Sequence, residues 1–367
     1  MLSFHCEKRC FQLGKNSLID SLQIDNFRGL HDLTIDNLSQ VNVFVGTNNC
    51  GKTSVLEAVK LLGAPDDVGQ VIRIALQRAQ ASTESKKRNI VNYVLSIFQK
   101  TTDMDGQQDY YHIKLGVNAK ARDYIYEADG TIGEAVDSTG ATKGTLAIAI
   151  KTSVDGGKAN YRSVEIVNGE DAKYTSTERP IYSSLYLPSS ISYYRSCVVF
   201  LSNYIVREGQ QEVLQILQTF DKNIDDISIV GEDIYLHNTH SGSMPLFAYG
   251  SGLQKAVLLT VAIAYCKNGV ILVDEIDNAI HVTAFKDVFG WFLDACMRWD
   301  VQAFITTHSA EAIDAILEIN HEKHLEDDVL RVITLRKDYK DNATRKKIRT
   351  GEEAYSDRER FKMELRV

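Results

Sequence analysis

The chain has 367 residues, 44% of them hydrophobic and 25% charged, and a formal net charge of -8 at pH 7. That length suits two domains, or one large domain with an insertion, and the composition is that of an ordinary globular protein. The acidic balance argues against nonspecific coating of nucleic acid, and the longest apolar run, AVLLTVAIAYC at 256–266, is too short to span a bilayer.

The opening MLSFHCEKRCFQ lacks the apolar core of a signal peptide, and the 6 cysteines are scattered as in a reducing compartment, so the expected location is cytoplasmic. His5, Cys6 and Cys10 have no second Cys/His pair to complete four metal ligands. Residues 21–35, SLQIDNFRGLHDLTI, alternate apolar and polar around an Asn-Phe-Arg-Gly turn and predict a β-hairpin. VNVFV at 41–45 reads as a buried parallel strand ending at Gly46, and SVLEAVKLL at 54–62 has helical spacing. Residues 86–100 predict one amphipathic helix. Strand-like runs follow at 110–117, 124–127, 145–151 and 161–167, which makes 81–180 a β-rich insertion. An α/β pattern returns from 181, with helices at 210–220, 252–265 and 283–298 and core strands at 270–273 and 303–306. This is the order of a doubly wound α/β fold that binds ligands at strand C-termini. The expected organisation is an α/β unit in two parts, 1–80 and 181–320, interrupted by 81–180. A C-terminal strand and a basic, helical tail follow at 321–367, including a basic run at 331–349 that reads as solvated surface.

Residues 46–53, GTNNCGKT, satisfy the phosphate-loop pattern G-x-x-x-x-G-K-[ST]. Gly46 and Gly51 let backbone N–H groups turn onto phosphates, Lys52 neutralises the β/γ oxygens, and the Thr53 hydroxyl ligates magnesium. Ile271-Leu272-Val273-Asp274-Glu275 is an apolar strand that delivers two carboxylates, Asp274 for the metal and Glu275 as a base for the attacking water. Thr306-Thr307-His308-Ser309 follows another apolar strand and places an imidazole where it would meet the γ-phosphate. Tyr249-Gly250-Ser251-Gly252-Leu253-Gln254-Lys255 opens a helix, and a helix N-terminus of small residues is an anion site. A chain with its own phosphate loop has no need of a second site for the same phosphates. The simplest reading is that this one caps a γ-phosphate held by another subunit.

In this order, GTNNCGKTS, YGSGLQK, ILVDEID and TTHS resemble the phosphate loop, signature, Walker B and switch-histidine motifs of ABC-type ATPases. The resemblance is to short head-only proteins of the RecF, SMC and OLD (overcoming-lysogenisation-defect) branch. IDNFRGLHDLTI and the closing GEEAYSDRERFKMELRV are similar to that branch's two ends. The likeness covers about residues 18–80 and 181–367. It implies a P-loop NTPase of class α/β, an ABC-type head with a mixed β-sheet flanked by helices, a β-rich insertion and an α-helical lobe. It also implies ATP and Mg2+ as ligands.

By the same resemblance, Gly46, Asn48, Asn49, Cys50, Gly51, Lys52, Thr53 and Ser54 bind nucleotide, and Arg28 approaches it. Thr53 and Asp274 hold the metal, and Glu275 and His308 are catalytic. Ser251, Gly252, Gln254 and Lys255 form the signature that acts in trans. Asp277, Asn278 and His281 form the D-loop, with His281 where many relatives carry aspartate. The Q-loop glutamine stays open among Gln70, Gln77, Gln80 and Gln99. Beside Lys52 and a helix N-terminus, the Cys50 thiol is expected to be activated, with ATP protecting it from alkylation.

The implied mechanism is ATP-dependent association of two heads, as a homodimer or a higher oligomer of dimers. The 58 residues after Ser309 are too few for a fused Toprim nuclease, so a nuclease or toxin effector is expected on a separate chain. Stand-alone heads of this kind resemble ATPase components of bacterial anti-phage systems. The alternatives are a RecF-like or SMC-like DNA-maintenance ATPase that clamps DNA, and a non-catalytic nucleotide-dependent scaffold.

Overall fold

The Asn-Phe-Arg-Gly segment turns between β1 (Ile19–Asp25) and β2 (Leu33–Ile35), which pair antiparallel with Leu22 opposite Ile35. This hairpin belongs to a larger antiparallel sheet. β5 (Asp109–Ala119) pairs with both β1 and β4 (Gln99–Thr102) along one edge and with β6 (Arg122–Val136) along the other. β7 (Thr142–Val154) and β8 (Asn160–Val167) complete it. The β-rich middle of the chain is therefore joined edge to edge with the opening hairpin.

The computed structural model describes residues 18–79, 82–102, 109–136, 139–172, 174, 180–189, 211, 214–215, 217–218, 221–231, 233–338, 340 and 343–366. His5, Cys6 and Cys10 lie outside the described residues, as do Gln80 and much of the helix expected at 210–220.

The second sheet is mixed. Its order is β16 (Thr344–Thr350), β15 (Leu330–Lys337), β3 (Val41–Val45), β14 (Gln302–Thr306), β13 (Val270–Val273) and β9 (Ser184–Leu187). All neighbours are parallel except β15 and β16. β3, β13 and β14 are buried at every residue because layers cover both faces. Val41, Val43, Val45, Ile271 and Val273 enter one apolar cluster, whereas Phe44, Val270, Leu272 and Phe304 enter the other. The helix after the phosphate loop, α1 (Lys52–Leu62), contributes Val55, Leu56, Val59 and Leu62 to the cluster shared with the antiparallel sheet.

The far face is covered by α5 (Ser251–Tyr265), α6 (Phe285–Arg298) and α7 (Ala310–Glu322). α5 is apolar nearly all round for a reason. Leu259, Ala262 and Ile263 face the mixed sheet's core, while Val257 and Val261 pack on a small sheet of β10 (Ile224–Val230), β11 (Asp233–Asn238) and β12 (Gly242–Pro245). The tail forms α8 (Gly351–Phe361), opened by a capping box between Thr350 and Glu353 and tied to α7 by Arg358 and Asp314 at 2.6 Å.

The single helix expected at 86–100 is not present. After α2 (Val68–Gln77), the chain makes two short helices, α3 (Thr83–Arg88) and α4 (Ile90–Leu95), and then enters β4. Asn89 breaks the run with φ -117 and ψ 21, and its amide donates back to the Ser85 carbonyl at 3.2 Å. Ile97 and Phe98 are buried, an environment the helical spacing did not anticipate. Likewise the four-residue run at 124–127 is only part of a much longer strand, β6.

Gly46 ends β3 at φ +145, and a Cβ there would lie 2.2 Å from the Leu335 carbonyl oxygen and 2.8 Å from Cys50 Sγ. Backbone cannot step aside as a side chain can. We expect Gly46→Ala to lose roughly 3 kcal/mol of stability, from overpacking together with backbone strain. Urea denaturation measures this, and an unchanged midpoint would contradict the packing of β3 against β15.

Candidate functional site

The C-terminal ends of β3, β14 and β13 lie side by side, so the three motifs that follow them meet. The phosphate loop rises after β3 with Thr47, Asn48 and Asn49 exposed, and Asn49 adopts φ +64. Gly51 at φ +101 turns the chain into α1. Lys52 is buried, and its Nζ donates to the carbonyl oxygens of Gly46 at 2.9 Å and Thr47 at 3.0 Å. Burial is the chief influence on its ammonium and lowers its pKa. A cation held among carbonyls is primed to exchange them for phosphate oxygens.

Cys50 lies beneath the loop. It is 2% exposed, packed in the core under the loop, with Sγ 3.7 Å from Lys52 Nζ. The expectation of a readily alkylated thiol is corrected by this burial, because a reagent reaches Sγ only when the loop opens.

Asp274, at the end of β13, is the hub. The Thr53 hydroxyl donates to its two oxygens at 3.1 and 3.2 Å, Thr306 donates at 2.7 Å, and Tyr186 Oη lies at 3.4 Å. Thr53 and Asp274 are the hard oxygen donors that magnesium takes beside phosphate and water. No group of three or more His, Cys, Asp or Glu suited to a metal occurs among the described residues. The donor set therefore fits a magnesium ion completed by a nucleotide, not a site made by protein ligands alone.

Glu275 has φ +50, a left-handed conformation that a non-glycine residue adopts only at a cost. Its N–H donates to Thr306 Oγ1 at 2.8 Å, which holds the strained residue in place. Burial first, then the Asp274 and Asp277 carboxylates, raises its pKa, while Lys52 and Lys255 oppose the rise. Burial and then Lys52 lower the pKa of His308, so its imidazole favours the neutral form. A more basic carboxylate and a neutral imidazole suit proton abstraction beside an anionic substrate.

The helix motif abuts this centre through the turn after Glu275. Ser251 is exposed at the start of α5 and donates to the Ala279 carbonyl at 3.3 Å, with Gly252 beside the same carbonyl. Gln254 braces the helix entry by donating to the Tyr249 carbonyl at 2.7 Å, and Lys255 is buried. Asp277 accepts from the Thr307 hydroxyl at 2.6 Å, and Asn278 donates to Ser189 O at 2.8 Å. His281 turns to Thr283 and accepts from its N–H, capping a short 3-10 turn.

Arg28 is engaged with Glu57 on α1. It adopts φ +52, and its guanidinium donates to Glu57 at 2.5 Å, to Ser96 Oγ and to the Ile74 carbonyl. Glu57, Arg78 and Tyr186 were not singled out by sequence reasoning. One signal was available, a carboxylate at a core-facing position of the otherwise apolar SVLEAVKLL. Of the Q-loop candidates, Gln70 donates to Lys60 O at 3.0 Å and Gln99 donates to Arg28 O.

Two outcomes follow from these environments. Native Cys50 should react with iodoacetamide far more slowly than in urea, and rapid labelling of the folded protein would contradict its burial. Because folding raises the Glu275 pKa, its stabilising contribution is complete at low pH and is lost as pH rises through the folded value. Glu275→Gln should therefore melt higher than wild type at pH 7, and the gap should close below pH about 4, where the unfolded carboxyl is also protonated. A gap that does not change with pH would exclude carboxylate ionisation as its cause.

Comparison with known proteins agrees with this geometry. Residues 18–184 match the family described as "AAA ATPase domain", and residues 167–314 match "AAA domain, putative AbiEii toxin, Type IV TA system". An ATP/GTP phosphatase of Helicobacter pylori is 22% identical over 334 residues, covering 83% of this chain and 89% of the relative. Among solved structures, an Smc head bound to the C-winged helix domain of ScpA is 13% identical with a TM-score of 0.48, covering 90% of this chain and 98% of that one. An Smc head with an extended coiled coil bound to the C-terminal domain of ScpA, from Pyrococcus furiosus, is 11% identical with a TM-score of 0.48, covering 94% and 99%. Two adjoining ATPase-domain matches and a nucleotide phosphatase relative fall on a mixed α/β sheet that brings the phosphate loop, Asp274-Glu275 and His308 together, and the chain is an ATPase.

Proposed function

We propose that this ATPase binds MgATP between two copies of itself and uses the ATP-bound assembly to control a separate effector, a nuclease or toxin, in bacterial anti-phage defence. The observation that carries the catalytic part is the joint at Asp274. It links Thr53 of the phosphate loop to Thr306 and sits one residue before Glu275. In this reading Lys52 leaves its carbonyls for the β/γ oxygens, and Thr53 with Asp274 holds the magnesium that screens phosphate charge. Glu275 accepts the proton of the attacking water, and neutral His308 orients it at the γ-phosphate. Ser251 and Gly252 offer the exposed N-terminus of α5 to the nucleotide of the second copy. The effector-control part draws on the toxin–antitoxin wording of the family matched at 167–314. The expected place of action is the cytoplasm, and no described helix is long and apolar enough to cross a membrane.

A DNA-clamping role has one observation in its favour: Arg345, Lys346 and Lys347 are exposed on the edge strand β16. Edge-strand cations also serve to block unwanted strand pairing, and Lys346 is engaged with Thr34 O and Asp36, so this is the second reading.

Glu275→Gln should lower kcat by roughly 10²–10⁴-fold, the span of general-base contributions, while MgATP binding persists. In light scattering it should also accumulate the ATP-bound oligomer, and Ser251→Arg should abolish that oligomer without affecting nucleotide binding by the monomer. Unchanged turnover in Glu275→Gln would remove the base assignment, and an ATP-independent mass would remove the composite site. ATPase activity stimulated by duplex DNA and insensitive to Arg345→Ala/Lys347→Ala would count against the DNA-clamping alternative at β16.

A further inference from the structure

The Glu57 carboxylate is 1% exposed on α1, one turn beyond the phosphate loop, and two arginines grip it. Arg28 donates from Nε to Oε2 at 2.5 Å and from Nη2 to Oε1 at 3.3 Å. Arg78, just after α2, donates from Nε to Oε1 at 2.7 Å and from Nη2 to Oε2 at 2.8 Å. One negative charge thus faces two positive ones, and the cluster keeps a surplus positive charge. The two arginines differ in what remains of them. The Arg28 side chain is 10% exposed, and each of its guanidinium nitrogens has an acceptor within the protein. The Arg78 side chain is 43% exposed, and its Nη1 has no acceptor among the described residues. Arg78 also reaches the loop itself, with Nη2 donating to Ser54 Oγ at 3.3 Å. Tyr186, whose hydroxyl lies 3.4 Å from Asp274, feels the charges of both Glu57 and Arg78, so the cluster borders the metal-side carboxylate.

A surplus guanidinium beside the first turn of α1, half exposed and oriented by a buried carboxylate, is complementary to an anion held at that helix end. We propose that Arg78 is a nucleotide-binding residue, which takes the phosphate nearest the nucleoside while Lys52 takes the β/γ oxygens. Glu57 is its positioning residue, and Arg28 holds Glu57 in register. The inference deepens the proposed nucleotide site and rests on that reading. Because the phosphate nearest the nucleoside is common to ATP and ADP, Arg78 contributes to both complexes equally and is indifferent to the γ-phosphate.

The test is calorimetric binding of MgADP and of a non-hydrolysable MgATP analogue to the full chain, with melting temperature measured without nucleotide. Arg78→Ala should weaken both ligands by the same factor, about tenfold or more for a lost charged hydrogen bond, with little change in melting temperature. Arg78→Lys, which keeps the charge, should recover part of the loss. Affinities within twofold of wild type in Arg78→Ala would overturn the proposal, as would a loss confined to the ATP analogue. Should Arg78→Ala instead melt much lower, and Arg78→Lys restore melting but not affinity for either ligand, the guanidinium would be only a fold contact of Glu57, and the proposal would fall. Lys52→Ala separates the two levels. If it binds MgADP as wild type does, the phosphate-loop reading itself is wrong, whereas loss there with normal binding in Arg78→Ala removes only the role of Arg78.

Discussion

Asp274 accepts hydrogen bonds from Thr53 and Thr306, and through them a single buried carboxylate ties together three separate stretches of chain. Each stretch is the continuation of a parallel strand, β3, β13 or β14, and each strand is buried on both faces. The hydrophobic cores fix the strands, the strands fix where their C-terminal loops emerge, and the Asp274 hydrogen bonds set the last ångström between those loops. The polar triad stabilises little by itself, since net hydrogen-bond contributions are roughly 1 kcal/mol each. Its importance lies in the alternative: an unpaired carboxylate at that depth would be far more costly than the pairing is favourable.

The same neighbourhood stores strain. Glu275 sits at φ +50 with a carboxyl whose pKa is raised by burial and by two nearby acids, and both features oppose folding. Thr306 holds it by accepting its N–H while donating to Asp274, so one hydroxyl serves both acids. Ala279 adopts φ +69 four residues later, and its carbonyl receives Ser251. Two left-handed residues within five positions make the turn compact enough to lie between the loop and the start of α5. A relaxed turn would carry Glu275 away from Thr306 and leave Asp277 short of Thr307.

The parts of this site that were legible in the sequence are those whose chemistry is local. A glycine-bearing loop between strand and helix, two acids after VILV and a histidine after AFITT each declare themselves within a few residues, and the cores place them together. What was not legible depends on long-range partners. Glu57 reads as an odd charge on an apolar helix until Arg28 and Arg78 arrive from 29 residues before and 21 residues after it. Cys50 reads as an activated thiol because its spacing says nothing of the direction of its side chain, which is buried against Gly46. The helix expected at 86–100 failed for a related reason. Its apolar spacing was real, but Ile97 and Phe98 pair their backbone with the Asn-Phe-Arg-Gly turn: Arg28 N donates to Ile97 O at 2.7 Å, and Phe27 bridges Phe98.

That last pairing explains why the β-rich middle is built into the head. Arg28 must hold φ +52 with its guanidinium aimed at α1, and the opening hairpin alone offers little to keep it so. Its N–H is held by Ile97 O, its carbonyl by the Gln99 side chain, and its Nη1 by Ser96 Oγ. Residues 96–99 lead into β4, which pairs with β5, and β5 in turn pairs with β1 at the root of the same hairpin. The loop of contacts closes on itself. The middle of the chain fixes the turn, the turn fixes Arg28, and Arg28 fixes Glu57 one helical turn from the phosphate loop. A change in the pairing of β5 with β1 therefore has a contiguous route to α1 that runs through Arg28 and Glu57.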